Sequence, residues 1–97
     1  NYEDVVQNNE VVIFDFWAEW CQPCVVQGKV FESNKKIFSK HFPQFVIGKI
    51  NIEKNNDLAK KYNVNSIPML QLYKKGKLVD TVIGLRKAEE IIEILEK

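Results

Sequence analysis

Four short apolar runs along the chain predict four β-strands. The first, Val11–Trp17, is apolar except for one aspartate, which is typical of a strand buried on both faces of a parallel sheet. The second, Phe45–Asn51, alternates loosely between apolar and polar positions. Met69–Lys74 and Lys77–Ile83 flank the pair Lys75-Gly76, and glycine accepts the positive φ that tight hairpin turns require. The last two strands are therefore predicted to form a hairpin.

The polar-rich segments between these strands have helical spacing. A long helix is predicted over residues 24–42, with its apolar positions on one side and Pro43 closing it. The positions expected to face the core are Val26, Val30, Ile37 and Phe38. Polar Gln27 lies between them and is expected to face away.

Three shorter helices complete the pattern. One is expected over residues 2–7, and another is expected to be capped by Asn56 or Asp57 and to run to Tyr62. In the last segment, apolar residues recur at i, i+3, i+4 and i+7, which predicts an amphipathic helix. These residues are Ala88, Ile91, Ile92 and Leu95. From Val11 onwards the order is β-α-β-α-β-β-α, which predicts an α/β fold with a mixed sheet between helices.

The chain's two cysteines stand two residues apart at the junction between the first strand and the long helix. Residues 20–24 read Trp-Cys-Gln-Pro-Cys. Free backbone N–H groups and the positive end of the helix dipole stabilise a thiolate there, and a thiolate is the form that attacks disulfides. A CxxC pair beside a βαβ pattern favours a redox-active site.

Two other interpretations of the cysteine pair stay open on the residues alone. A structural zinc site needs about four ligands, and the chain offers two cysteines and one distant histidine, His41. An inert disulfide would close too short a loop to stabilise the fold by much. His41 itself is expected to be a solvated residue near the end of the long helix.

The cysteine segment resembles the active-site segment of the thioredoxin family. It reads Asp-Phe-Trp-Ala-Glu-Trp-Cys-Gln-Pro-Cys over residues 15–24. Further family segments follow in the same order and spacing: Lys-Ile-Asn-Ile at 49–52, Ser-Ile-Pro at 66–68, Tyr-Lys-Lys-Gly at 73–76 and Ile-Gly at 83–84. The resemblance covers nearly the whole chain. It implies the thioredoxin fold and a single thioredoxin-like domain over residues 1–97.

The resemblance implies a set of catalytic residues. Cys21 matches the family's nucleophile, and Cys24 matches the cysteine that resolves the mixed disulfide. Asp15 matches a buried aspartate that accepts the proton of the second cysteine, although an aspartate facing solvent at a strand end fits the sequence alone equally well. Burial would raise the pKa of Asp15. Lys49 matches the family's lysine near that aspartate; by itself, a lysine on a strand is usually a solvated side chain.

The resemblance also implies a substrate-binding surface around the cysteines. Pro68 matches a cis proline lying against the disulfide, and Ile67 before it would offer its backbone to an extended substrate. Gly84 matches a glycine that keeps the groove open, although a strand-end turn also explains it. Trp20, Gln22 and Pro23 would complete the docking surface, and Trp17 is expected to support the site from the strand.

Several positions depart from the family pattern. Gln22 replaces the usual glycine between the cysteines, and Met69 replaces the usual threonine after the cis proline. Lys29 replaces the proline that bends the long helix, so any bend would have to come from Gly28. The family's first strand is missing. The strand at Phe45–Asn51 would then be an open edge that pairs with a strand from a longer form of this chain or from a partner.

Composition excludes some functions and leaves the compartment open. The chain has 97 residues, 45% of them hydrophobic, and a net charge of +1, which favours a packed domain. It has no basic block typical of nucleic-acid binding and no apolar run of the roughly 18 residues that span a membrane. It begins at Asn1 without Met or a visible signal peptide, so we expect a trimmed product. A cytoplasmic location is the default, and a processed secretory or organellar form stays open.

The function predicted from this resemblance is reduction of protein disulfides by dithiol-disulfide exchange. Its electrons would come from a flavin-containing thioredoxin reductase, with no cofactor bound to the chain itself. One alternative is an oxidase or isomerase of a secretory compartment. Another is a binding subunit of a larger assembly that holds its partner in the groove around Trp20, Ile67 and Gly84.

Overall fold

The computed structural model describes residues 2–97 and contains one mixed four-stranded sheet. Its strands are β1 (Val11–Trp17), β2 (Phe45–Asn51), β3 (Met69–Lys74) and β4 (Lys77–Ile83), in the spatial order β2-β1-β3-β4. β1 runs parallel to β2 and antiparallel to β3, which pairs with β4 in a hairpin. All four strands have the predicted bounds.

The β3–β4 hairpin turns where the glycine predicted it. Lys75 and Gly76 both adopt positive φ, at 53° and 82°. Two successive residues in this region form the two-residue turn whose twist matches that of the flanking strands.

Within the described residues, five helices connect and cover the strands. They are α1 (Tyr2–Asn8), α2 (Gln22–Ser33), α3 (Lys35–His41), α4 (Asn56–Lys61) and α5 (Ala88–Glu96). The order predicted from Val11 onwards is confirmed except that α2 and α3 replace one long helix. Within residues 2–97, no helix is both long and apolar enough to cross a lipid bilayer.

The prediction of one continuous helix over residues 24–42 is wrong, because the chain breaks at Asn34. Asn34 has φ −117° and ψ 18°, outside helical values. Its side chain donates a hydrogen bond to the Val30 carbonyl oxygen at 2.7 Å, and its backbone N–H bonds to Phe31 at 3.3 Å. Asparagine side chains compete with the helical ladder in this way, so α2 ends at Ser33 and α3 begins at Lys35. Gly28, where a bend was considered, lies inside α2.

The predicted buried face of this region is partly wrong. Val26 and Ile37 are exposed, whereas Gln27 is fully buried. The buried positions of α2 are Cys24, Gln27 and Phe31. The cap of α4 also differs: the residue before the helix is Asn55, and its side chain makes no capping hydrogen bond.

Two cores lie on opposite faces of the sheet, and alternate residues of β1 contribute to each. Val11 and Ile13 pack with Phe31, Phe38 and residues of α5. The intervening residues of β1 pack on the other face with α1 and α4: they are Val12, Phe14 and Phe16. Because strand side chains alternate, Asp15 points to the same face as Val11 and Ile13, beneath α2.

Candidate active site

The two cysteines form a disulfide at the N-terminus of α2. β1 ends at Trp17, and a turn in which the Cys21 N–H bonds to the Ala18 carbonyl leads directly into the helix. Cys21 is the N-cap residue, and its sulfur accepts a hydrogen bond from the Cys24 N–H at 3.2 Å. Pro23 lies in the first turn, where its missing N–H costs no helical hydrogen bond.

This geometry favours a thiolate at Cys21 when the disulfide is reduced. A negative sulfur at the N-cap would accept the same N–H bond and face the positive end of a helix of 12 residues. Both cysteines are buried, but the exposed fraction is 5% for Cys21 and 1% for Cys24. Cys21 is thus the more accessible of the two residues by a small margin. Among residues 2–97, no three His, Cys, Asp or Glu side chains are grouped to hold a metal ion.

Asp15 is a fully buried carboxyl group on the sheet face that α2 covers. Neither of its oxygens has a hydrogen-bond partner within the described chain. Burial raises its pKa from 3.8 to about 6, while the nearby Lys49 charge opposes the rise. The solvent-facing interpretation of Asp15 is therefore wrong, and the group titrates near neutrality.

Lys49 lies opposite Asp15 in the register of β1 and β2. Its ammonium nitrogen is 4.7 Å from the ring centre of Trp17, a cation–π contact. A Cβ atom at position 28 would lie 3.2 Å from that nitrogen, so Gly28 makes room for the lysine. The side chain of Lys49 thus passes between β2 and α2, close to the sheet face that carries Asp15.

Ile67 and Pro68 approach the disulfide from the loop before β3. Ile67 is half-buried and packs against the cluster of Ala18, Cys21 and Cys24. The peptide bond between Ile67 and Pro68 is cis, as the resemblance implied. Pro68 itself is buried.

Gly84 follows β4 and is hydrogen-bonded to Pro68, in the loop before β3. Its N–H donates a hydrogen bond to the Pro68 carbonyl oxygen at 2.8 Å. Its φ is +95°, a conformation that side-chain-bearing residues rarely adopt, and no atom lies within 4 Å of where a Cβ would be. Gly84 therefore serves both as the strand-end turn and as an open position on the surface.

Exposed groups surround the start of α2. Trp20 is 68% exposed beside Cys21, and Gln22 and Pro23 are exposed between the cysteines. Two further exposed apolar residues, Ile83 and Leu85, flank Gly84 and were not predicted as surface features of the site. The sequence already contained a signal for these two residues, because they stand on either side of Gly84, which the resemblance assigns to the groove.

Gln27 is the residue near the site that the sequence analysis misplaced. Its side-chain amide forms two hydrogen bonds with the backbone of Arg86, which is 59 positions away in sequence. Gln27 is at i+3 from Cys24 and at i−4 from Phe31, so helical spacing alone places it on their face. The polar character of glutamine outweighed that spacing in the prediction.

One surface cavity lies away from this site. It measures about 490 Å³ and lies between α3 and α5, lined by Ile37, His41, Ile92 and Glu96 among others. His41 is exposed at the end of α3, as predicted, and its ring nitrogen Nδ1 also lies 2.9 Å from the Glu96 carboxylate of α5.

Comparison with known proteins finds similarity to thioredoxins and, over 20% of that protein's length, to the protein disulfide-isomerase of Hordeum vulgare, which is 35% identical over 100 residues. The sequence model of the Thioredoxin family matches residues 1–97. The thioredoxin of Chlamydia caviae is 40% identical over 87 residues, covering 90% of this chain and 81% of that protein. The thioredoxin of Rickettsia bellii is 37% identical over 92 residues, covering 94% and 84%.

A solved structure matches in the same way. A mutant thioredoxin from Halobacterium salinarum superposes with a TM-score of 0.82 at 32% sequence identity. The match covers 98% of this chain and 80% of that one. Sequence and backbone geometry therefore identify the same group of relatives, and the cysteine pair, with Cα atoms 5.2 Å apart, is the redox centre of the site.

Proposed function

The chain belongs to the thioredoxin family, and from that premise we propose that Cys21 attacks and Cys24 resolves in the disulfide exchange that it catalyses. Family membership and a CxxC pair at disulfide distance make the chain a thiol-disulfide oxidoreductase, a disulfide reductase that acts on disulfide-containing proteins. The observation that carries the assignment of roles is Cys21 at the N-cap of α2. Residues 1–97 are proposed to act as one domain.

The first step forms a mixed disulfide between Cys21 and the substrate. The Cys21 thiolate attacks one sulfur of the substrate disulfide, the substrate S–S bond breaks, and the second substrate sulfur leaves as a thiolate that takes a proton. A mixed disulfide between Cys21 and the substrate remains. The N–H of Cys24 and the dipole of α2 support Cys21 as the attacking group because they lower the free energy of its thiolate.

The second step releases the substrate. Cys24 loses its proton and attacks the Cys21 sulfur, which breaks the mixed disulfide and leaves a reduced substrate and the Cys21–Cys24 disulfide. Asp15 is proposed as the acceptor of the Cys24 proton, because it lies beneath α2 with a pKa of about 6 and two unpaired oxygens. Lys49 is proposed to tune Asp15, since its charge favours the ionised carboxylate.

The substrate is proposed to bind as an extended segment across the cysteine end of the domain. The cis bond before Pro68, the contact of Ile67 with the cysteines and the open position at Gly84 support a groove there. Trp20, Gln22 and Pro23 are proposed to form its opposite wall, because they are exposed beside Cys21.

The cycle needs two electrons for each substrate disulfide that it reduces. We propose that a flavin-containing thioredoxin reductase supplies them by reducing the Cys21–Cys24 disulfide. The chain then returns to the dithiol form without any cofactor of its own.

The outer edge of β2 is proposed to pair with one further strand, from a longer form of this chain or from a partner protein. β2 is the terminal strand of the sheet, and its seven residues contain no proline that would block pairing. Hydrogen exchange on a longer chain tests the first version: added protection over residues 46–50 is expected, and unchanged protection there would contradict it.

Trapping of the mixed disulfide tests the order of attack. The reduced Cys24→Ser variant is mixed with native, disulfide-bonded insulin as the probe, and the products are separated without reductant. A covalent complex through Cys21 that dithiothreitol cleaves is expected, whereas the Cys21→Ser control should form none. Equal trapping by both variants would contradict the assigned roles.

A binding subunit is the alternative from another functional class. A variant with both cysteines replaced by serine separates it from the reductase. A reductase loses all turnover of insulin in this variant. A binding subunit would still hold its partner, with affinity unchanged by the loss of both thiols.

A further inference from the structure

Gln27 joins two segments of the site that are far apart in sequence. The Arg86 N–H donates to its amide oxygen at 2.8 Å, and its amide nitrogen donates to the Arg86 carbonyl oxygen at 3.1 Å. The amide therefore pairs with both polar groups of one backbone unit, as a neighbouring strand would. Gln27 is completely buried, and it lies one turn after Cys24 in α2.

The segment that Gln27 holds is the one that carries Gly84. Residues 84–87 connect β4 to α5 and belong to neither element. At one end of this segment, the Gly84 N–H bonds to the Pro68 carbonyl oxygen. At the other end, the Lys87 N–H bonds to the Glu90 side chain at the start of α5. Between these two points, Gln27 bonds to both polar groups of the Arg86 backbone.

The arrangement connects one side of the proposed groove to the cysteine helix. On that side, Ile67 packs against the cysteines, and Gly84, which is hydrogen-bonded to Pro68, lies between the exposed residues Ile83 and Leu85. The Gln27 amide links α2 to this Gly84 segment through Arg86. The Arg86 side chain adds a contact from the solvent side, where its guanidinium donates to the Ile83 carbonyl oxygen at 3.1 Å.

A glutamine at this position needs an explanation beyond filling space. The other buried side chains of α2, Cys24 and Phe31, are apolar or weakly polar, and an apolar residue of the same length would fill the volume equally. A buried amide is tolerated only when its hydrogen bonds are made. The Gln27 amide bonds to the N–H and carbonyl groups of Arg86. Without this amide, those backbone groups would need hydrogen bonds from water.

We propose that Gln27 is a positioning residue for substrate docking: it holds the Gly84 segment at a fixed distance from the cysteine helix, so that the groove is formed before a protein substrate arrives. This inference rests on the proposed function. A preformed groove lowers the ordering cost of binding an extended segment. Among the described residues, the Gln27 side chain bonds to the Arg86 backbone and to neither sulfur, so the intrinsic reactivity of Cys21 is expected to be independent of it.

The test compares a protein substrate with a small disulfide. Gln27→Met keeps the length of the side chain and removes both amide hydrogen bonds. Steady-state reduction of insulin, with dithiothreitol as electron source, should show KM raised about fivefold or more and kcat within about twofold, the pattern of lost binding. The rate with 5,5′-dithiobis(2-nitrobenzoate), which needs no groove, should stay within about twofold of the parent's. The reduction potential of the cysteine pair should be unchanged.

Two further variants control the comparison. Val26→Met introduces the same side chain at the neighbouring exposed position of α2 and should change neither substrate. Gln27→Glu is isosteric: its protonated carboxyl group, which burial favours, accepts from the Arg86 N–H and can donate to the Arg86 carbonyl, so its KM should lie between those of the parent and Gln27→Met and approach the parent's as the pH is lowered. Amide exchange at Arg86 and Gly84 should accelerate in Gln27→Met, which shows the loop loosening directly.

The outcomes separate this inference from the function on which it rests. A parent that reduces neither insulin nor the small disulfide overturns both. A normal parent with unchanged KM in Gln27→Met overturns the role of Gln27 alone. Equal losses with both substrates would show that Gln27 affects the cysteine chemistry itself, and failure of both Gln27 variants to fold would show that it serves stability. Either result would likewise overturn the docking role.

Discussion

Asp15 and Lys49 are directly opposed across β1 and β2, yet no hydrogen bond joins their side chains. The lysine ammonium lies instead over the Trp17 ring and against Gly28. The carboxyl group is left buried without a hydrogen-bond partner among residues 2–97. Burial raises its pKa to about 6, and the positive charge of Lys49 limits that rise. The charge of Lys49 acts on Asp15 through space, and each group is therefore accessible to a separate mutational test.

Removing the lysine charge should raise the pKa of Asp15 further. In Lys49→Met, the Coulombic influence that lowers this pKa is lost, so the carboxyl group should titrate above about 6. NMR titration of the Asp15 side-chain carbon in the oxidised protein measures the shift. Lys77→Met, which removes an exposed lysine of β4, is the matched control. An unchanged or lower value in Lys49→Met would contradict the Coulombic contact.

Asp15→Asn should stabilise the fold at neutral pH. An acid whose pKa rises from 3.8 to about 6 on folding binds its proton more tightly in the folded state. Its ionisation therefore destabilises the fold as pH increases through this window, and the cost is constant above it. The variant should gain about 2–3 kcal/mol in unfolding free energy at pH 8, and the gain should vanish at about pH 3.5.

Urea unfolding of the oxidised protein at both pH values measures this difference. Asp80→Asn, at an exposed position of β4, should show no such pH-dependent gain. A loss of stability at pH 8 in Asp15→Asn would mean that the carboxylate has a favourable partner in the folded protein.

The same variant should slow the resolving step. If Asp15 takes the Cys24 proton, release of substrate from the mixed disulfide should accelerate in the parent as pH rises through about 6. Asp15→Asn should lose that inflection and release substrate about 10²-fold more slowly at pH 7. Quenched-flow measurement of thiol release follows the step, and an inflection that persists in the variant would assign it to another group.

Truncating Trp20 should weaken docking without affecting the fold. Its side chain is 68% exposed, so Trp20→Ala should change the unfolding free energy by no more than about 0.5 kcal/mol. KM for insulin should rise severalfold because a large contact area is lost, whereas the rate with 5,5′-dithiobis(2-nitrobenzoate) should hold. Ile37→Ala removes another exposed apolar side chain, away from the cysteines, and should leave both parameters unchanged. Insulin kinetics equal to the parent's would exclude Trp20 from the docking surface.

The reduction potential of the Cys21–Cys24 pair distinguishes a reductase from an oxidase or isomerase. Retention of Pro23 between the cysteines favours a value near −270 mV, as in thioredoxin, over the roughly −180 to −120 mV of oxidising relatives. Equilibration with dithiol buffers and alkylation of the free thiols gives the value. Gln22→Gly restores the usual family residue and should shift the potential by less than about 30 mV. A parent value above about −200 mV would favour the alternative.

The strands were predictable because their signal is local. Apolar runs and one Lys-Gly turn were enough to place all four strand bounds, since a buried strand needs apolar residues in succession and a hairpin needs positive φ. The helical region over residues 24–42 was harder. Asn34 breaks it through a side-chain bond to its own preceding turn, and an asparagine on a helix surface has the same appearance in sequence.

By itself, the sequence determined the fold class, the cysteine pair and its place at the start of a helix, because these follow from periodicity and from spacing along the chain. Only the tertiary structure decided which polar groups are buried and what they meet. Within the described chain, Asp15 has no hydrogen-bond partner, because the ammonium group of its neighbour in register lies over Trp17. Gln27 can be buried because the backbone of Arg86, 59 positions away in sequence, satisfies its amide. Such pairings depend on distances in space between segments that local sequence patterns do not connect.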